Sequence, residues 1–162
     1  MSKKSYEDFP LSLALFDALP VIFFGVSMML IALMFKSALF IAGAAVCTLS
    51  GIMKVIWKII IASSKKDISP LNKQMRVLMP IGFIMIICGA VISRGQFDFS
   101  RFAHKAIQIP NIIFFIITII GMMLMSIFAT KLDSTKRRSN WIEQITNAIA
   151  QLSLMIGIII TV

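Results

Sequence analysis

Four ionisable side chains, Asp17, Lys54, Lys58 and Glu143, sit within or beside stretches otherwise apolar enough to cross a bilayer. A charge held in hydrocarbon is costly, so those that persist are paired, solvated or functional. Lys54 and Lys58 are four residues apart and share one helical face. Glu143, Asn147 and Gln151 repeat that spacing and form a polar stripe, with Gln144 beside it. Two acids, two bases and three amides make the chemistry of a binding site, in which lysines hold charge and amides orient a guest. The expected ligand is a polar or anionic solute, held by Asp17, Lys54, Lys58, Glu143, Asn147 and Gln151. An enzyme acting on lipid headgroups is a different use of the same set, with Glu143 or Asp17 as base and the lysines on phosphate. No recognised nucleophile or metal constellation accompanies them.

Each residue also has a plainer explanation. Asp17 is placed to cap a helix whose first turn holds Pro20. Glu143 follows Asn140 by three, the capping-box spacing, and an acid in a first turn suits the helix dipole. Lys58 is near enough to a helix end to snorkel to the headgroups. Asn147 and Gln151 can serve as interhelical glue, worth roughly 0.6 kcal/mol each. What favours a site is their common depth, because pairing turns separately costly charges into a neutral cluster.

The elements that must position these groups are long apolar runs. A hydrocarbon core of about 30 Å needs roughly 20 helical residues. Five runs meet that need, over about 18–35, 38–62, 77–93, 112–129 and 141–162, with 11–16 as an apolar lead-in. The fold class expected is all-α, a single transmembrane domain over 1–162 built as a five-helix bundle. On this reading Lys54 and Lys58 lie roughly 12 and 6 Å from the end of the second run at 1.5 Å per residue. Extending their face outward reaches Gly51, Cys47 and Gly43, small residues that admit a close neighbour.

Composition agrees. Of 162 residues, 59% are hydrophobic and only 14% charged, and mean hydropathy is +0.94. That excludes a soluble globular surface. Lys plus Arg number 16 against 7 acids. The excess lies in the gaps between apolar runs, so it marks membrane topology and not nucleic-acid binding. Ten basic residues (Lys3, Lys4, Lys65, Lys66, Lys73, Arg76, Lys131, Lys136, Arg137 and Arg138) fall on one side. Four fall on the other: Lys36, Arg94, Arg101 and Lys105. The positive-inside rule then puts the N-terminus in the cytoplasm and the C-terminus outside. Lys136, Arg137 and Arg138 are expected to attract anionic lipid headgroups.

Between the third and fourth runs, Phe99, Phe102, Ala103, Ala106 and Ile107 recur on one helical face, opposite Asp98, Arg101, Lys105 and Gln108. This is the pattern of a short amphipathic helix in the outer interface, read as a cap on the bundle with a gate as the alternative. Pro20 and Pro80 open two hairpins that both end in basic clusters, a weak sign of duplication.

Trp57 and Trp141 suit an aromatic belt at the inner boundary. Cys47 and Cys88 lie in separate runs without C-x-x-C or zinc spacing, so small packing residues are expected. His104 is the single histidine, which excludes bis-histidine haem ligation within one chain. No cofactor is called for. Two functions follow: a small transport or channel-type protein, with oligomerisation completing its pathway, or a non-catalytic subunit whose small faces and basic loops meet partners in a larger complex.

Overall fold

A computed structural model of the chain describes residues 10–65, 67–133 and 136–162. Lys3, Lys4 and Lys66, which entered the charge count, lie outside them. Among the described residues all regular structure is helical. Five helical segments are long and apolar enough to cross a membrane: Leu11–Phe35, Ala38–Ser64, Ser69–Ile92, Asn111–Phe128 and Arg137–Thr161.

The breaks have local causes. Within the first segment, α1 (Leu11–Phe16) and α2 (Ala18–Phe35) meet at Asp17. Pro20 has no N–H to return to the Phe16 carbonyl, so the ladder is interrupted there. Lys36 in the left-handed region (φ 49°) closes α2, and its N–H bonds the Ala32 carbonyl. Ser37 then caps α3 (Ala38–Ser64), its Oγ accepting from Phe40 N at 3.4 Å. At 27 residues, α3 is the longest helix, roughly 40 Å. The third segment is α4 (Ser69–Lys73) and α5 (Met75–Ile92), divided at Gln74. A single turn at Arg94–Gln96 and the short α6 (Phe99–Ala106) lead to α7 (Asn111–Lys131) and α8 (Arg137–Thr161).

These helices pack as an open row in the order α5, α3, α2, α8, α7. The apolar windows of α3 and α8 are 39% and 44% buried, against 11% for the α4–α5 segment and 17% for α7, which places the last two at the edges. The expected face of α3 is used inside the chain. A Cβ added at Gly43 would lie 2.7 Å from the Gly82 carbonyl oxygen, and Cys47 Sγ fills the space over Gly82. Gly51 receives Val21 of α2. These residues therefore serve internal packing and are not free for a partner. On the other side, Gly121 of α7 sits against Ala150 of α8, where Thr118 Oγ1 donates to the Ala150 carbonyl at 3.2 Å.

The duplicated-hairpin idea is not matched by packing. Helices α5 and α7 do not pack together; each finds its complementary small residues on α3 and α8 instead. Because its ends lie at opposite edges of the row, the 93–110 connection must cross the end of the inner helices. Phe97 anchors the crossing. Its ring stacks flat on Phe35 (4.3 Å, 3°), and Phe35 stacks on Phe40 (5.1 Å, 14°). The expected short helix is present as α6, but its two faces are not cleanly sorted. Phe102 and Ala106 turn partly inward with Lys105, while Phe99 and Ile107 stay exposed at 56% and 64%.

Candidate functional site

At the opposite end of α2, charged residues from three segments meet. Lys58 Nζ of α3 lies 2.7 Å from Asp17 Oδ2, and the two side chains are only 15% and 11% exposed. Asp17 thus does not cap α2, since no backbone N–H bonds its carboxylate. Lys58 is held by the acid and does not snorkel alone.

Lys54, one turn along α3, sits over the Trp57 ring, with Nζ 4.6 Å from the ring centroid. It is within electrostatic reach of Lys58, Asp17 and Arg76. Trp57 is not a belt residue. It is buried, and its Nε1 donates to Asp67 Oδ1 at 2.9 Å. Further along, Ser50 Oγ donates to Gln74 Oε1 at 3.1 Å, and Gln74 Nε2 donates to the Ser50 carbonyl at 3.0 Å. The chain after α3 folds back, so the 67–74 connector lines the part of α3 that carries Lys54. The Gln74–Ser50 clamp was not foreseen. Its only trace in sequence is a serine next to Gly51 on the small face of α3.

From α8, Glu143 is in electrostatic reach of both Lys58 and Asp17. The capping-box reading fails, because α8 begins at Arg137 and neither Asn140 nor Glu143 stands at its start. Trp141 packs on Phe16 of α1, centroids 5.5 Å apart, tying the start of α8 to the Asp17 bend. Asn147 is half-buried one turn on, and Gln151 turns to α7, where its Nε2 donates to Met122 Sδ at 3.5 Å.

Asp17, Lys54, Lys58 and Glu143 therefore converge. Asn147 and Gln151 lie one and two turns beyond Glu143, farther along α8 from the Asp17–Lys58 pair, and Gln151 bonds towards α7. On this part of α8 the buried face runs through Gln144, Ala148 and Gln151, while Glu143 and Asn147 are half-buried. Gln144 and Gln151 are 8% and 9% exposed, and neither side-chain oxygen has a hydrogen-bond partner among the described residues. A buried acceptor left unbonded costs about 1–3 kcal/mol, so these oxygens retain capacity for a donor. Among the described residues no group of three or more His, Cys, Asp or Glu is arranged to hold a metal ion. Cys47 and Cys88 are unpaired with each other, one buried and one exposed.

Lys136, Arg137 and Arg138 are exposed at the start of α8. Cations at a helix N-terminus oppose its dipole, so helix stability does not explain their position. No family model, no curated protein and no solved structure matches this chain.

Proposed function

We propose that the chain is a small multi-pass membrane protein of the transport or channel type, with a polar site at the Asp17 end. Its guest is a polar or anionic solute. The observation that carries this reading is hydrogen-bonding capacity left over in a buried charged region. Asp17 and Lys58 neutralise each other, Lys54 and Glu143 stand within electrostatic reach of them, and the buried Gln144 oxygen, one residue from Glu143, has no hydrogen-bond partner among the described residues. A purely structural cluster would close on itself, since unmet buried polar groups weaken a fold. Asn147 extends the polar path along α8.

The orientation proposed puts the N-terminus and this site on the cytoplasmic side, on the ten-to-four basic asymmetry. Lys136, Arg137 and Arg138 then lie on anionic headgroups of that leaflet. The α6 helix lies in the opposite interface. A reporter fused after Val162 should read as extracytoplasmic, and cytoplasmic activity would reverse the assignment. One chain in an open row encloses no complete pathway, so assembly of copies along the α5 and α7 edges belongs to the proposal.

Lys54→Met tests the site. Proteoliposomes holding the full chain should take up at least one of four radiolabelled probes: chloride, inorganic phosphate, acetate or glycerol. The variant should lose that uptake while keeping its helical content. Uptake of none by the unaltered chain, or equal uptake by the variant, contradicts the reading.

A further inference from the structure

We propose that the Phe97 end carries a second site, for the headgroup of an anionic phospholipid. The inference needs the bilayer but neither the polar site nor the orientation proposed above. A cleft of about 260 Å³ opens there, lined by Met34, Gln96, Phe97, Asp98, Arg101, Phe102, Lys105, Thr161 and Val162. Its composition is divided. Phe97, Phe102 and Met34 supply an apolar floor, while Arg101 and Lys105 supply two cations from one face of α6.

The floor is fixed in place. Phe97 is 8% exposed and lies flat on Phe35, and Phe102 packs on it with centroids 5.4 Å apart. The cations are four residues apart on one helix, so they present their charge to a common point. Among the described acidic side chains Asp98 alone lines the cleft, and its Oδ1 accepts from Arg101 N at 2.9 Å as the N-cap of α6. Lys105 Nζ donates to the Val162 oxygen at 3.3 Å, which steadies the ammonium and leaves two of its three donors. Arg101 keeps the planar fork suited to a phosphate diester.

Size and position select the occupant. At about 260 Å³ the cleft is smaller than most pockets for whole small molecules, roughly 300–1,000 Å³, so it takes one part of a larger ligand. It stands at the end of helices long enough to cross a membrane, the depth at which a bilayer presents headgroups and the first acyl methylenes. A molecule with an anionic group for Arg101 and Lys105 and an apolar portion for Phe97, Phe102 and Met34 is a phospholipid of that leaflet. The crossing connection thus closes the bundle end with a lipid as part of the closure.

The test is native mass spectrometry of the full chain after delipidation from an equal mixture of phosphatidylglycerol and phosphatidylcholine. The unaltered chain should keep a single phosphatidylglycerol and little phosphatidylcholine. Arg101→Gln with Lys105→Gln should reduce that retention roughly twenty-five-fold, about fivefold for each cation lost. The charge-preserving pair Arg101→Lys with Lys105→Arg should keep most of it. Lys73→Gln with Lys131→Gln, exposed cations at the other end, should leave it unchanged. Equal retention of both lipids overturns the proposal, as does retention that survives the glutamine pair. Glycerol phosphate, supplied without acyl chains, should not bind at millimolar levels; if it does, the lipid assignment falls.

Discussion

Lys58→Met is expected to destabilise the fold by about 3 kcal/mol, and adding Asp17→Asn should recover most of that loss. The asymmetry follows from burial. Lys58 and Asp17 are 15% and 11% exposed and 2.7 Å apart, so removing the ammonium leaves a carboxylate buried between α2 and α3. That residual charge, more than the lost attraction, sets the cost. Replacing both leaves a neutral amide and an apolar chain, neither of which carries the same desolvation penalty. Equilibrium unfolding in mixed micelles gives the three values needed for a double-mutant cycle. A large favourable coupling is expected, whereas simple additivity would mean that the two groups act independently.

Gly89→Ala should have the second large effect. A Cβ at this position would stand 2.5 Å from the Phe40 backbone nitrogen and 2.9 Å from its Cα. Backbone cannot rotate away as a side chain can, so α5 must move off α3. Overpacking of this kind costs about 1–3 kcal/mol. The effect should spread, because Phe40 also stacks on Phe35 and, through it, on Phe97. Gly95→Ala is the control, since nothing lies within 4 Å of its added Cβ. The unfolding midpoint should fall for Gly89→Ala and stay near the unaltered value for Gly95→Ala. Equal midpoints would show that α3 and α5 are not so closely apposed.

Much of this architecture was legible in residue type. The five apolar runs became five helices because nothing in them stops a helix apart from prolines near their starts. The small face of α3 was also legible, but not its neighbours. Gly43 and Cys47 accept α5, while Gly51 accepts α2, and four-residue spacing alone cannot assign partners to positions. The cost of lone charges at similar depth pointed to a mixed cluster, but not to the particular Asp17–Lys58 contact, since depth does not select a partner. Trp57 was misread because its role depends on Asp67, ten residues away, where the connector folds back. Glu143 and Asn140 matched a capping pattern, yet α8 starts earlier, at Arg137, so local spacing gave the wrong helix start. The open order α5, α3, α2, α8, α7 was not legible at all, because run lengths do not encode adjacency.

The central claim is that charges from the first, second and fifth segments meet inside the bundle at the Asp17 end. Solid-state magnetic resonance in bilayers tests it on one pair of atoms, with nitrogen-labelled lysine and carbon-labelled aspartate. The Lys58 ammonium should be strongly dephased by the Asp17 carboxyl, as a 2.7 Å contact requires. The signal should vanish in Asp17→Asn prepared with the same labels. A Lys58 resonance showing no coupling to aspartate, with the ammonium exchanging freely with water, would contradict the account.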